Sequence, residues 1–244
     1  MGSRIAVLGA AVGAAVLLTA GCSSISSSLK GVGTSLKQVG AGSHSAPPKT
    51  YTVPAPVTSV TVNTSGNITV TGTSGSGPVT VTESASYSTT PPATTHKVSG
   101  SALTLGYTCK TELLCGVDYD IKVPRGTAVH AEGREGTVTL TSLAGPVTAQ
   151  TVTGLISTSG LSSPSAVLKS GAGGIDATFA APPVSVRATT DAGSIVLSMP
   201  GSAAYQVNAD AVVGVSNVSV RRAAGSAHVI TAHSDLGGIT ISPS

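Results

Sequence analysis

The sequence predicts an all-β chain folded as a parallel β-solenoid, a β-helix-like stack of ~20-residue coils. Three observations point there. The composition is rich in β-branched and small residues: 40% hydrophobic, 9% charged and 2% aromatic, with thirty Gly and fourteen Pro for turns. The stretch TDAGSIVL at 190–197 recurs as SDLGGITI at 234–241 and as SGAGGIDA at 170–177. After each repeated glycine the apolar residues alternate with polar ones, the period of a strand with one buried face. Such hydrophobicity with so little charge excludes a disordered chain. The formal charge of +3, without a basic stripe or aromatic platforms, gives no reason to expect nucleic acid.

Residues 1–21 read as an export signal. Arg4 precedes an apolar run from Ile5 to Ala20, followed by Leu18-Thr19-Ala20-Gly21-Cys22. Cys after Ala-Gly resembles a bacterial lipobox, in which the cysteine becomes the lipidated N-terminus, so Cys22 is the expected lipidation site. An uncleaved helix over this run would reach only about 24 Å, short of the roughly 30 Å hydrocarbon core. Acyl chains, at about 0.8 kcal/mol per buried methylene, would hold the protein on the membrane. Residues 22–50 then form an expected flexible Ser/Gly tether of roughly 30 Å.

Residues 51–244 are expected to be a single solenoid domain. Within it, 51–125 would form the leading coils and a cap. Alternation is visible at Ile68/Val70, Val79/Val81, Leu103/Leu105 and Tyr119/Ile121/Val123, and Asn63–Ile68 echoes the repeat faintly. Cys109 and Cys115 stand in YTCKTELLCGVDYD. In an exported chain this C-x5-C pair reads as a disulfide pinning a turn, in preference to free thiols or a redox pair. No second Cys/His pair completes a zinc site.

Residues 126–244 hold the regular repeats. Gly136, Gly154, Gly173, Gly193, Gly214 and Gly237 lie at intervals of 18, 19, 20, 21 and 23. Stacking aligns one inward column, Val138, Ile156, Ile175, Ile195, Ser216 and Ile239, and a second, Leu140, Thr158, Ala177, Leu197, Val218 and Ile241. A second short strand lies midway, around Val147, Val167, Val184 and His228. One coil cannot bury its apolar face alone, whereas stacked coils share a continuous core. The corner glycine meets a need for positive φ or for close backbone approach. Asp or Ser at the corner would cap its own turn. Pro243 would blunt the far edge. The alternative architecture is a β-sandwich, which does not demand a glycine at a fixed phase.

The lipobox leader, then Cys115-Gly-Val-Asp118-Tyr119-Asp120-Ile121-Lys122-Val123-Pro124-Arg125-Gly126-Thr127, then repeated small-x-x-Gly-x-Ile units, resemble the bacterial putative-adhesin domain family over residues 55–242. That resemblance implies a solenoid-like fold and an envelope location, and it transfers no catalytic residues. The Ala/Gly/Thr bias resembles a Gram-positive source.

No convergent chemistry emerges. Asp118 and Asp120 share one strand face, the spacing of a hydrated edge beside Lys122, though paired carboxylates also serve acid–base work or calcium. Glu132 and Glu135 flank Arg134 in a surface corner. His233-Ser234-Asp235 carries triad residue types, but triads assemble from distant segments. His44, His96, His130 and His228 show no metal-ligand spacing, and Gly171–Gly174 opens a strand, unlike a phosphate loop. No catalytic residue, metal or cofactor is therefore expected, and the chain reads as a non-enzyme. The expected role is binding or scaffolding at the cell envelope, on the outer face of the cytoplasmic membrane, with a wall polymer or envelope protein as partner. The alternatives are an envelope-stress or signalling accessory and, further off, a polysaccharide-cleaving β-helix enzyme. The last would need paired carboxylates and aromatic platforms, and this chain has no Trp and one Phe.

Overall fold

The computed structural model describes residues 43–54, 56–110 and 114–244. Cys22, the leader and most of the expected tether lie outside the described residues. The strands are β1 (His44–Ser45), β2 (Lys49–Val53), β3 (Ser59–Thr64), β4 (Ile68–Thr73), β5 (Val79–Tyr87), β6 (Ala93–Ser99) and β7 (Ala102–Thr108). They continue with β8 (Cys115–Pro124), β9 (Ala128–Gly133), β10 (Val138–Thr141), β11 (Val147–Thr153), β12 (Ile156–Leu161), β13 (Ser165–Ala172) and β14 (Ile175–Phe179). The chain ends with β15 (Ser185–Ala192), β16 (Ile195–Met199), β17 (Gln206–Val213), β18 (Ser216–Val218), β19 (Val229–Leu236) and β20 (Ile239–Pro243). No helix occurs among the described residues.

Two sheets face each other. Sheet A runs β1-β5-β8-β4-β10-β12-β14-β16-β20-β18, with β2 also on β5, and sheet B runs β17-β19-β15-β13-β11-β9-β3-β7-β6. Each rung gives one strand to each sheet, and neighbouring rungs pair in parallel. This is the predicted solenoid, and the parallel pairing excludes the meander sandwich. Parallel strands usually read as unbroken apolar runs because both faces are covered. Here the outer faces are wet, so the strands alternate.

Both predicted columns form. Ile68, Val138, Ile156, Ile175, Ile195, Ile239 and Ser216 are in register, as are Val70, Leu140, Thr158, Ala177, Leu197, Ile241 and Val218. The facing sheet supplies Val62, Ala131, Ala149, Leu168, Ala188, Ala232 and Ala209. Sheet A narrows to Ala177 in this column, and two residues further along the strand Phe179 pairs with Leu161, all three buried.

The order of rungs departs from the sequence at both ends. β7/β8 lies outside β3/β4, and β19/β20 inserts between β15/β16 and β17/β18. Pro243 is therefore not an edge residue. It pairs with Met199 inside sheet A, and β17/β18 forms the far end. The expected tether also ends earlier than residue 50: β1 and β2 pair antiparallel with β5.

The glycine file explains the repeated motif. A Cβ on Gly173 would collide with the Gly154 carbonyl, one on Gly193 with that of Gly173, one on Gly237 with that of Gly193, and one on Gly214 with that of Gly237. The same stacking links Gly154 to Gly136 and Gly136 to Gly66. Gly193 has φ +155° besides. Close approach is thus the constraint common to the whole file, and a positive φ adds to it from Gly154 onward.

A second file lies inside the corner: Thr64, Gly133, Thr151, Ser170, Thr190, Ser234 and Ala211 are in register. Ser170 Oγ donates to Gly154 O (3.0 Å), Thr190 Oγ1 to Gly173 O (2.9 Å) and Ser234 Oγ to Gly193 O (3.0 Å). The hydroxyl three residues before each glycine thus caps the neighbouring rung, not its own turn as expected. Thr151 breaks the series, its buried Oγ1 having no hydrogen-bond partner among the described residues.

Candidate binding groove

The outer face of sheet B carries larger polar groups than that of sheet A. Register places Asn63, Glu132, Gln150, Lys169, Thr189, His233 and Asp210 on seven successive strands, about 4.8 Å apart. The corresponding rank on sheet A is mostly hydroxyl: Thr69, Thr139, Ser157, Asp176, Val196 and Thr240.

Part of the sheet-B face dips into a groove of about 450 Å³. One row of its lining is Asn63, Glu132, Gln150 and Lys169. A second, two residues further along the strands, is Arg134, Val152, Gly171 and Asp191. Gly171 contributes no side chain, which keeps the floor low, and Val152 is 64% exposed.

Glu132 is held in place. It pairs with His130 Nε2 at 2.7 Å and accepts from Asn63 Nδ2 at 2.8 Å. The His130 hydrogen bond, aided by Asn63, keeps its carboxyl below the usual glutamate range, against a smaller opposing effect of burial. Arg134, Gln150, Lys169 and Asp191 have no side-chain partner among the described residues. The groove therefore presents two cations and two anions, three of the four unpaired among the described residues.

Further along the same face, His233 sits between two carboxylates, Nδ1 at 3.1 Å from Asp210 and Nε2 at 2.9 Å from Asp235. Ser234 points the other way, into the corner, so these three neighbours share no site.

The other sequence candidates lie apart. Asp118 and Asp120 are exposed on sheet A. Asp118 Oδ1 accepts from the Asn67 backbone N–H (2.6 Å) and side-chain amide (3.2 Å), making it a corner cap. Cys109 and Cys115 form a disulfide with Cα atoms 6.2 Å apart, closing the corner between β7 and β8. No helix among the described residues is long and apolar enough to cross a membrane.

Sequence reasoning treated Glu132 as part of a bland corner and passed over Gln150 and Lys169. Their signal was present: each sits at the same phase before its repeat glycine, but phase was read only for apolar residues. Glu83 was also passed over. It is 4% exposed and accepts from Tyr51 Oη at 2.7 Å. Burial and the Glu83 carboxylate push the Tyr51 phenol far up, and burial chiefly does the same to Tyr119. Glu83 ties β2 to β5, and the adjoining cavity, about 40 Å³, is too small for a substrate.

No family model and no curated protein matches the chain. Among solved structures, it is similar to a putative adhesin from Bacteroides fragilis, at 13% identity and TM-score 0.46 over 81% of this chain and 96% of that one. A putative cell adhesion protein from Clostridium sporogenes aligns at 12% identity and TM-score 0.38, over 81% and 99% of the two chains. A putative adhesin from Parabacteroides distasonis aligns at 12% identity and TM-score 0.33, over 81% and 96%.

Proposed function

We propose that this chain is a lipid-anchored binding protein of the cell envelope, tethered through Cys22 at the outer face of the cytoplasmic membrane. In this reading the solenoid is a non-catalytic module that presents sheet B to a wall polymer or envelope protein. The groove carries the reading: beside Glu132, which His130 and Asn63 hold, the side chains of Arg134, Gln150, Lys169 and Asp191 have no partner among the described residues and are open to a ligand. The disulfide supports an oxidising compartment outside the cytoplasm. The lipobox supports the anchor. The separation of Asp118 and Asp120 from the groove, and the engagement of Asp118 by Asn67, support a role without acid–base chemistry.

The test is crosslinking in intact cells from a photoreactive residue at Gln150, with one at Thr139 on sheet A as the control. Capture of an envelope component from Gln150 and not from Thr139 is the expected result. Equal capture from both faces, or none, would count against the reading. A Cys22→Ala chain should also leave the membrane fraction.

A further inference from the structure

The charge pattern of the groove narrows what can fill it. In the first row Glu132 on β9 is negative and Lys169 on β13 is positive. Two strand spacings separate them, about 10 Å between backbones, and the Gln150 amide lies between, able to donate and to accept. In the second row the order is reversed: Arg134 follows β9 and Asp191 lies on β15. A polyanion laid here would meet Glu132 and Asp191. A polycation would meet Arg134 and Lys169. A neutral glycan would cover four charges and pair none of them, which costs desolvation without return. A ligand carrying both signs can pair Glu132 at one end and Lys169 at the other, while Arg134 and Asp191, both exposed, keep their water.

We infer that the groove binds a zwitterionic oligomer, a short extended peptide with a free amine and a free carboxylate about 10 Å apart, lying across the strands along the stacking axis. The amine sits at Glu132, whose geometry His130 and Asn63 fix. The carboxylate sits at Lys169, and Gln150 bonds a peptide group between them. Three extended residues span this distance at about 3.3 Å each. The exposed Val152 offers an apolar ledge for small side chains, and the bare floor at Gly171 leaves room for the backbone. The inference rests on the binding reading above and adds the class of ligand.

The probe is trialanine, titrated into the purified full-length chain in detergent and followed by NMR shift changes. Acetylating its amine or amidating its carboxylate should each weaken binding about tenfold, the worth of one charge-assisted contact. Glu132→Gln and Lys169→Met should do the same, while Thr139→Ala on the opposite sheet should not. The double reversal Glu132→Lys with Lys169→Glu should bind trialanine better than either single reversal. Native-like circular dichroism and a cooperative melt show that these substitutions leave the fold intact. Equal binding of the blocked peptides, preference for an oligomer of N-acetylglucosamine, or no binding at millimolar trialanine would each overturn the inference. If trialanine fails while Gln150 still captures an envelope component, the ligand class falls and the binding reading stands. If both fail, the binding reading falls too.

Discussion

The two ends of the solenoid solve the same problem unequally. A parallel stack leaves an open strand edge at each end, ready to pair with another chain. At the β7/β8 end, β5 runs antiparallel along β8 and β6 along β7, and β1 and β2 cover β5. The inward residues there, Leu103 and Leu105, are at most 1% exposed. At the β17/β18 end, among the described residues, the outer edge meets only the short segment 221–223, through the Tyr205–Arg222 bridge, the Tyr205 N–H to Arg221 O and Ala223 N–H to Tyr205 O bonds, and Arg222 Nη2 donating to Val207 O. Val207, Ala209 and Ala211 are half-buried, and Val212, Val213 and Val215 are exposed by 60% or more. Both ends exchange the order of two rungs, but only the first gains a cover. Stability should therefore fall along the axis, the far rung opening locally before the rest.

The sharpest test of that gradient is one substitution made twice. Gly173→Ala places a methyl against the Gly154 carbonyl in mid-stack, at φ +145°. Neither neighbour can yield, and a loss of about 3 kcal/mol or more is expected from strain and overpacking together. Gly214→Ala makes the same collision with Gly237 at the end rung. There the rung can detach, so the global loss should be smaller while amide exchange in β17 and β18 quickens. Denaturant melts and hydrogen exchange read both, and equal global losses would remove the gradient.

The disulfide bears on the covered end. Replacing Cys109 and Cys115 by Ser frees a short loop, worth about 2.4 kcal/mol in the chain-entropy account. The loss should appear as faster exchange in β7 and β8, with β17 unaffected. Uniform loosening would show that the stack melts as one unit.

The inner hydroxyl file sharpens the comparison further. Thr190→Ala removes the hydroxyl that the Gly173 carbonyl accepts from and should cost about 1–2 kcal/mol. Ala211 occupies the same position on the end rung and has no hydroxyl to give. Ala211→Ser should donate to Gly237 and raise stability by about 0.5–1 kcal/mol, a gain seen first as slower exchange in β17.

The stack was legible because its cause is local and repeated. Gly-x-Ile at a drifting period fixes both the corner and the column above it, so Val138 through Ile239 could be aligned without coordinates. The exchange of rungs at the ends was not legible. β19 and β17 carry the same motif, and nothing in SDLGGITI says that it inserts beneath Val213-Gly214. The end rung is betrayed only by what it lacks: Ser216 stands where its neighbours have Ile, and Ala211 where they have a hydroxyl. The groove was half legible. Arg134 and Glu132 were visible as charges, but their meeting with Gln150, Lys169 and Asp191 depends on strand register, which the outward residues do not set.

The smallest effect expected concerns Glu132, on β9 in the well-supported half of the stack. Its hydrogen bond from His130, then that from Asn63, lowers its folded value below the ordinary 4.5. A carboxylate with a depressed folded value contributes stability that is complete above the unfolded value and disappears as pH falls through the folded one. The window is therefore the acid side of pH 4.5. The Glu132 side chain is 41% exposed, so solvent screening holds the contribution below about 1 kcal/mol. Melting temperatures of the native chain and of Glu132→Gln should differ near neutral pH and converge on acidification. Because β9 pairs on both sides, with β3 and β11, this change should leave exchange in β17 untouched. If acidification loosens β17 in the native chain and not in the variant, then the two ends are coupled through the sheet, and the gradient from covered to open end is not a property of the ends alone.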